Sequence, residues 1–374
     1  MVYPFLPAFG RGLGVDLRTL SLAVTLRSTS GVLGPVLASI ADSRGRKTGM
    51  LVGLCLFISG TGMMIIWPSL PIFVLSLLLC LMANLTFMPS MQAYLGDRIP
   101  YQRRGLVLAI TEFSWSLSFI IGIPLVGMLI EHKGWQAPYP WFAGLGLLAL
   151  FVLGGILPRD TPETSSKASL WDNLRSVFSH KPALAGILFG MVLSGSNELI
   201  NLIFGVWLED AFKVKIATLA IASAIIGISE LGGETLVSVF VDRIGKHRAA
   251  GIGLILNGLV SLSLPALGSG LTGAMVGLFL IYLTFEFTIV SSITIMSEVL
   301  PATRATFMAA FVASTALGRA LGDLLAPTLY QAGGAFSTAP GIFIVALVTA
   351  ALDLIALVIL RAVKISQTLS NSSI

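Results

Sequence analysis

Long apolar runs alternate with short polar connections along the whole chain. A helix that crosses a bilayer needs about 20 mostly apolar residues. Eleven runs reach that length, and the pattern therefore predicts about eleven membrane-spanning helices. They occupy residues 17–41, 48–68, 70–95, 105–130, 138–157, 183–208, 215–240, 249–267, 271–297, 305–330 and 338–361.

The composition explains why these runs need lipid as their solvent. Of the 374 residues, 55% are hydrophobic and only 11% are charged, and the mean hydropathy is +0.92. A soluble domain carries about 25% charged residues. We therefore predict an all-α membrane protein whose partner is the lipid bilayer. The net charge of +5 lies in short loops and not on one soluble face, so nucleic acid is not expected as a partner.

The Lys and Arg residues of the loops predict the orientation. Sixteen lie on one side, in the loops at 42–47, 97–104, 158–182, 242–248 and 298–304 and in the C-terminal tail. Five lie in the opposite loops: Arg11, Arg18, Lys133, Lys213 and Lys215. Cytoplasmic loops carry the excess of positive charge. This predicts a multi-pass protein of the cell (inner) membrane with its C-terminus in the cytoplasm.

The longest polar stretch, 158–182, predicts a linker between two halves. It holds two prolines, several serines and several charges. We expect an N-terminal transmembrane half at 1–157, a cytoplasmic linker at 158–182, and a C-terminal transmembrane half with a short cytoplasmic tail at 183–374.

An internal repeat supports the two halves. The motif Asp-x-x-Gly-Arg-Lys at 42–47 recurs 200 positions later, at 242–247, as Asp-x-x-Gly-Lys-His. Asp-x-x-Pro-x-x-Arg at 97–103 recurs 201 positions later, at 298–304, with Glu in place of Asp. Both copies fall on the same predicted side of the membrane. Parallel repeats of this kind are related by a pseudo-twofold axis along the membrane normal, with the binding site between them near the midplane.

These motifs resemble the major facilitator superfamily. The stretch 38–47 reads Ala-Ser-Ile-Ala-Asp-Ser-Arg-Gly-Arg-Lys, and it is similar to the loop between the family's second and third helices, roughly G-x-L-a-D-r-x-G-r-k. The Asp, the Gly and the two bases after it match. The resemblance implies the family's fold of two six-helix halves, a monomer, and transport of a small-molecule substrate.

The resemblance also implies a cytoplasmic gate. Its residues would be Asp42, Gly45, Arg46, Lys47, Asp97, Asp242 and Gly245. In the family, the equivalents of Asp42, Arg46 and Asp97 help to hold the halves together when the cavity opens outward. The other interpretation is that these bases only set the topology.

The family normally has twelve helices, one more than the runs counted above. The first residues of this chain resemble the outer end of the family's first helix. We therefore expect about fifteen to twenty residues of that helix to be missing from the sequence.

Several ionisable side chains lie inside the apolar runs, where each costs about 2.5–3.5 kcal/mol on insertion scales. The candidates for a substrate and proton pathway are Arg27, Glu112, Glu198, Asn201, Glu230, Glu234, Glu286, Arg319 and Asp323. Arg319 and Asp323 stand at i and i+4, as do Glu230 and Glu234, so each pair shares a helix face. The alternative for these residues is a set of buried contacts that only fix helix packing.

Acids outnumber bases among these side chains, which suggests proton coupling with a neutral or cationic organic substrate. We predict a secondary transporter working by alternating access, with proton-coupled efflux. Uptake of a sugar or other metabolite is the first alternative, and a non-transporting membrane protein of transporter descent is another. An enzyme is not expected, because the sequence has no nucleophile–base set, and its Cys and His residues lack metal spacing. No cofactor is expected.

Glycine spacing adds one expectation about packing. Gly186 and Gly190 form a G-x-x-x-G pair in one run, and Gly318 and Gly322 form another. Small residues at this spacing allow two helices to approach closely in a membrane.

Overall fold

A computed structural model describes residues 2–34, 45–98, 114, 117–158, 170–300, 303–334 and 341–363. The regular structure of these residues is helical, with no strand among them. The helices of the first part are α1 (Leu6–Leu13), α2 (Leu17–Ser30), α3 (Arg46–Ile66), α4 (Leu70–Arg98), α5 (Ile123–Lys133), α6 (Pro138–Ile156) and α7 (Leu170–Ser179). Those of the second part are α8 (Lys181–Phe212), α9 (Ile216–Ile244), α10 (Lys246–Leu267), α11 (Leu271–Val299), α12 (Arg304–Gly334) and α13 (Ile342–Leu360).

Nine helices within the described ranges are long and apolar enough to cross a membrane. They correspond to nine of the eleven predicted runs. The other two runs, 17–41 and 105–130, lie partly outside the described residues. α2 belongs to the first of them, and a π-helical turn at Ser118–Gly122 followed by α5 belongs to the second. The prediction of an all-α membrane protein is confirmed.

Two glycines show the internal repeat in the backbone itself. Gly45 precedes α3 with φ 93° and ψ 143°, and Gly245 precedes α10 with φ 91° and ψ 135°. A side chain would strain this conformation, which glycine adopts freely. The two motifs therefore share their glycine because both loops turn into the next helix in the same way.

The internal contacts divide the chain into two compact units. The first contains Met1–Ser166 together with Leu202–Gly227, and the second contains Lys167–Asn201 together with Ile228–Ile374. The predicted boundaries at 1–157, 158–182 and 183–374 divide the chain by sequence, and they stay a prediction. Part of the predicted linker, 159–169, lies outside the described residues, while α7 lies within it.

In the first unit, close contacts at glycines bring helices together. A Cβ atom added at Gly53 of α3 would lie 2.9 Å from the Ala83 carbonyl oxygen of α4. One added at Gly205, near the end of α8, would lie 2.5 Å from the Pro4 carbonyl oxygen. The last turns of α8 thus pack against the first residues of the chain, in agreement with their place in this unit.

The second unit has a core of large apolar side chains from α8, α11, α12 and α13, including Phe189, Met296, Phe307 and Leu360. α8 and α12 approach each other backbone to backbone. A Cβ atom at Gly318 would overlap the carbonyl oxygen of Met191, and one at Gly190 would lie 2.6 Å from the Phe311 ring. The close packing expected from the glycine spacing is confirmed for these two helices.

Candidate functional site

The predicted pathway residues fall into two groups. Seven lie in the second unit: Glu198, Asn201, Glu230, Glu234, Glu286, Arg319 and Asp323. Arg27 lies in the first unit. Glu112 lies outside the described residues. The second unit therefore holds most of the candidate site.

Glu198 is a buried carboxyl with partners on two helices. Its side chain on α8 is 1% exposed, and Oε2 lies 3.9 Å from Nε of Arg319 on α12. Oε1 accepts a hydrogen bond of 3.2 Å from Nδ2 of Asn201, one turn further along α8. A Cβ atom at Gly322 would lie 2.6 Å from the Cβ of Glu198, so only glycine on α12 admits this carboxyl.

Tyr282 of α11 completes this hydrogen-bonded chain, and the sequence analysis did not select it. It is buried, and its hydroxyl donates a hydrogen bond of 2.8 Å to Oδ1 of Asn201. Because the amide oxygen of Asn201 accepts from Tyr282, the amide nitrogen is directed to Glu198. One sequence signal could have found it, since Tyr282 precedes Glu286 by four residues and shares its helix face.

A second group of carboxyls surrounds Glu286 of α11. A Cβ atom at Gly233 of α9 would lie 2.7 Å from the Cβ of Glu286. Gly233 stands between Glu230 and Glu234 in the sequence. Glu286 interacts electrostatically with both of these carboxyls and with Arg319, and the Tyr282 hydroxyl interacts with Glu198 and Glu230. Tyr282 therefore connects the two groups into one cluster.

Asp323 is fully buried on α12, one turn from Arg319. The predicted pairing of these two side chains stays a prediction, and the ion pair recorded for Arg319 is the one with Glu198. The Arg319 guanidinium thus has an ion-pair partner on α8. Spacing along α12 suggests Asp323 as a second partner. The side chain of Arg319 is 49% exposed, so it is also accessible from outside the protein core.

Arg27 lines a separate cavity within the first unit. The cavity has a volume of about 230 Å³, and its lining includes Arg27 of α2, Thr61 of α3, Ser76 of α4 and Tyr139 of α6. Arg27 is the one charged residue among the described residues that line it. The structure places this guanidinium among hydroxyl groups, in a unit that holds none of the described carboxyls predicted for the pathway.

The gate motifs have matching contacts in the two units. Lys47 Nζ donates hydrogen bonds to the carbonyl oxygens of Gly154 (2.8 Å) and Leu157 at the end of α6. His247, its counterpart 200 positions later, contacts the carbonyl oxygen of Val363 after α13 at 2.9 Å. In both units, the base therefore holds the C-terminal end of the last helix of its predicted half.

The second unit also contains an ion pair between the two repeated motifs. Lys246 Nζ lies 2.6 Å from Oε1 of Glu298. By the repeat, these residues correspond to Arg46 and Asp97. Asp42 lies outside the described residues, and so do the side chains of Asp97 and Asp242. The latch of Asp42, Arg46 and Asp97 stays a prediction.

One further ion pair was missed because its members are far apart in the sequence. Arg11, in the last turn of α1, pairs with Glu209, near the end of α8. Both residues belong to the first unit. The sequence pattern indicates only a loop base at Arg11.

Comparison with known proteins identifies the chain's relatives. The family model described as Major Facilitator Superfamily matches residues 1–228. An uncharacterized MFS-type transporter of Bacillus subtilis, YwfA, is 24% identical over 339 residues, which cover 89% of this chain and 82% of YwfA. The quinolone resistance protein NorA of Staphylococcus aureus is 23% identical over 338 residues, covering 88% of this chain and 86% of NorA.

Solved structures share the fold. A bacterial homologue of the human lysosomal transporter Spinster, in an inward-facing and unoccupied conformation, has a TM-score of 0.77 at 13% identity, covering 96% of this chain and 93% of that one. The D-xylose–proton symporter has a TM-score of 0.74 at 16% identity, covering 94% and 91%. The fold expected from the loop motif is therefore confirmed.

Proposed function

Because the chain belongs to the Major Facilitator Superfamily, we propose that it carries a small organic solute across the inner membrane by alternating access, in proton-coupled efflux. The observation that carries the proposal is the cluster of four carboxyls in the second unit, of which Glu198 is fully buried and the other three are half-buried. Glu198, Glu230, Glu234 and Glu286 lie on α8, α9 and α11, and Arg319 pairs with Glu198 and interacts with Glu286.

The cluster has the properties that a coupling site needs. Ionisable groups at membrane depth are costly, and they mark ion and substrate pathways when they meet a partner or water. Several carboxyls near one guanidinium leave an excess of negative charge, which a proton or a cationic substrate can neutralise. A carboxyl that binds a proton on one side of the membrane and releases it on the other couples the movement of protons to the movement of the solute.

The gate residues supply the conformational part of the proposal. Asp42, Gly45, Arg46, Lys47 and Asp97, with Asp242 and Gly245 in the repeat, would close the cytoplasmic side while the site faces outward. The Lys246–Glu298 pair supports this, since its members occupy the repeat positions of Arg46 and Asp97.

The direction of transport is proposed from a relative. NorA is named as a quinolone resistance protein, and export of a compound can make a cell resistant to it. Uptake of a sugar or other metabolite through the same fold is the alternative. The proposal further includes a monomer with a cytoplasmic C-terminus and two halves, 1–157 and 183–374, joined by the linker 158–182.

The test uses the purified full chain in proteoliposomes with an imposed pH gradient and a fluorescent quinolone as the probe. Glu286→Gln and Glu230→Gln are expected to abolish gradient-driven movement while solute exchange without a gradient continues. Ser292→Ala is the matched control, because this buried hydroxyl of α11 donates only to the Thr288 carbonyl of its own helix.

Two results would contradict parts of the proposal. Unchanged gradient-driven transport in both Gln variants would remove these carboxyls from the coupling. Movement of the probe only in the same direction as the protons, under either gradient, would replace efflux by uptake.

A further inference from the structure

A groove runs between α5 and α6 on the surface of the first unit. It has a volume of about 470 Å³ and is lined by Leu125, Met128, Leu129, His132 and Lys133 of α5 and by Trp141 of α6. The α5 residues are spaced three and four apart, so they form one face of the helix. The groove is therefore continuous along two turns of α5.

The two ends of this groove differ in polarity. Leu125 and Met128 are apolar and exposed, and Lys133 stands eight residues after Leu125, about 12 Å further along the helix. Lys133 and His132 line the other end. Glu131, an exposed residue that precedes these two bases on α5, is not among the lining residues. The described lining of the mouth therefore carries bases only.

Two side chains make the mouth suitable for a phosphate group. Nδ1 of His132 is 2.8 Å from the carbonyl oxygen of Met128. A carbonyl can only accept, so Nδ1 carries the hydrogen of this bond, and Nε2 can donate to a phosphate only when the ring is protonated. Trp141 is 59% exposed near the start of α6, and tryptophan is enriched where membrane spans meet the headgroups.

The surface around the groove faces lipid and not a soluble ligand. α6 is a candidate membrane span of which only 11% is buried. Its side chains Leu145 and Leu148, one and two turns beyond Trp141, are exposed. An occupant must therefore enter from the bilayer, with an apolar part along α5 and a charged part at its end.

We propose that this groove binds an anionic phospholipid, with an acyl chain along Leu125 and Met128 and the phosphodiester at Lys133. A zwitterionic headgroup carries its own cation next to the phosphate, so it gains less from a basic mouth. The proposal does not depend on the transported solute or on proton coupling.

Quenching of tryptophan by brominated lipids tests the site in the full chain, reconstituted in phosphatidylcholine bilayers. The chain has six Trp residues, and the difference between the wild type and Trp141→Phe isolates the emission of Trp141. Brominated phosphatidylglycerol is expected to quench this emission at about fivefold lower mole fraction than brominated phosphatidylcholine. This is the preference for an anionic lipid that one base near a membrane surface gives.

Lys133→Gln is expected to remove this preference, and Lys215→Gln to keep it, since Lys215 is an exposed lysine elsewhere in the same unit. High salt should also weaken the preference for phosphatidylglycerol in the wild type. This measurement tests the electrostatic origin of the preference if Lys133→Gln does not fold. Equal quenching by both lipids in the wild type, or a preference that survives Lys133→Gln, would overturn the proposal. Occupation of the groove by both headgroups alike would show an ordinary boundary lipid.

Discussion

Substitution of Gly318 by Ala tests how tightly α8 and α12 hold the candidate site. The added Cβ atom would lie 2.8 Å from the carbonyl carbon of Met191 and would overlap its oxygen. The limiting contact is the one with the oxygen, and non-bonded atoms pack at about 3.5 Å, so the two backbones must separate by roughly 1 Å or more. Overpacking of this kind costs about 1–3 kcal/mol. The better helix propensity of Ala offsets at most about 1 kcal/mol, so we expect a net loss of stability.

The same separation affects the site. Gly318 precedes Arg319, whose Nε is already 3.9 Å from Glu198, and a longer distance weakens that attraction. Gly318→Ala should therefore lower both the unfolding temperature in detergent and the transport rate in proteoliposomes.

Gly144→Ala in α6 is the matched control for this prediction. An added Cβ atom there meets nothing within 4 Å, so the variant reports helix propensity alone and should be as stable as the wild type or more so. Thermal unfolding followed by intrinsic fluorescence compares the two. If Gly318→Ala unfolds at the same temperature as Gly144→Ala, the close approach of α8 and α12 is not a source of stability and the reasoning fails.

Three other changes have defined outcomes. Tyr282→Phe leaves the Asn201 amide oxygen without its donor, so unfolding should become easier by about 1–3 kcal/mol, and the pH profile of transport should change. A profile identical to that of the wild type would refute the link from Tyr282 to the carboxyls. Arg11→Glu should slow transport, and adding Glu209→Arg should restore it. The free energy of unfolding should change by less than about 1 kcal/mol, because Arg11 is exposed. No recovery of transport in the double variant would mean that the pair is incidental. Lys47→Met removes the hydrogen-bond donor at the end of α6, which should destabilise that helix end by about 1 kcal/mol. Hydrogen exchange of residues 150–158 should therefore become faster. Unchanged exchange would show that this donor is unimportant.

The membrane spans and the gate repeat could be predicted because their signals are local. Length and apolarity are properties of a single run, and the motif at 42–47 repeats at a fixed offset. The structure adds the reason for the repeat, which is that Lys47 and His247 hold equivalent helix ends. The glycines at 45 and 245 have the same backbone conformation because both loops turn into the next helix in the same way.

The partners of the charged side chains could not be predicted, since they depend on which helices are neighbours and how each is rotated. Spacing along α12 suggested Asp323 for Arg319, while the recorded ion pair is with Glu198 of α8. Arg11 and Glu209 are 198 residues apart. Tyr282 looks like any aromatic residue of an apolar helix until its hydroxyl is seen to meet Asn201.

Glycine connects the packing of the second unit to its chemistry. Two glutamates of the cluster each pack their Cβ atom against a glycine of a neighbouring helix: Glu198 packs against Gly322, and Glu286 against Gly233. Because no side chain occupies these positions, each carboxyl can lie alongside the neighbouring helix and meet the groups that it carries. Glycines that a sequence assigns to packing are therefore also residues of the site, because they set which helix each acid faces. The same small residues that allow α8 and α12 to touch bring Glu198 within reach of Arg319, so helix packing and charge pairing are one arrangement.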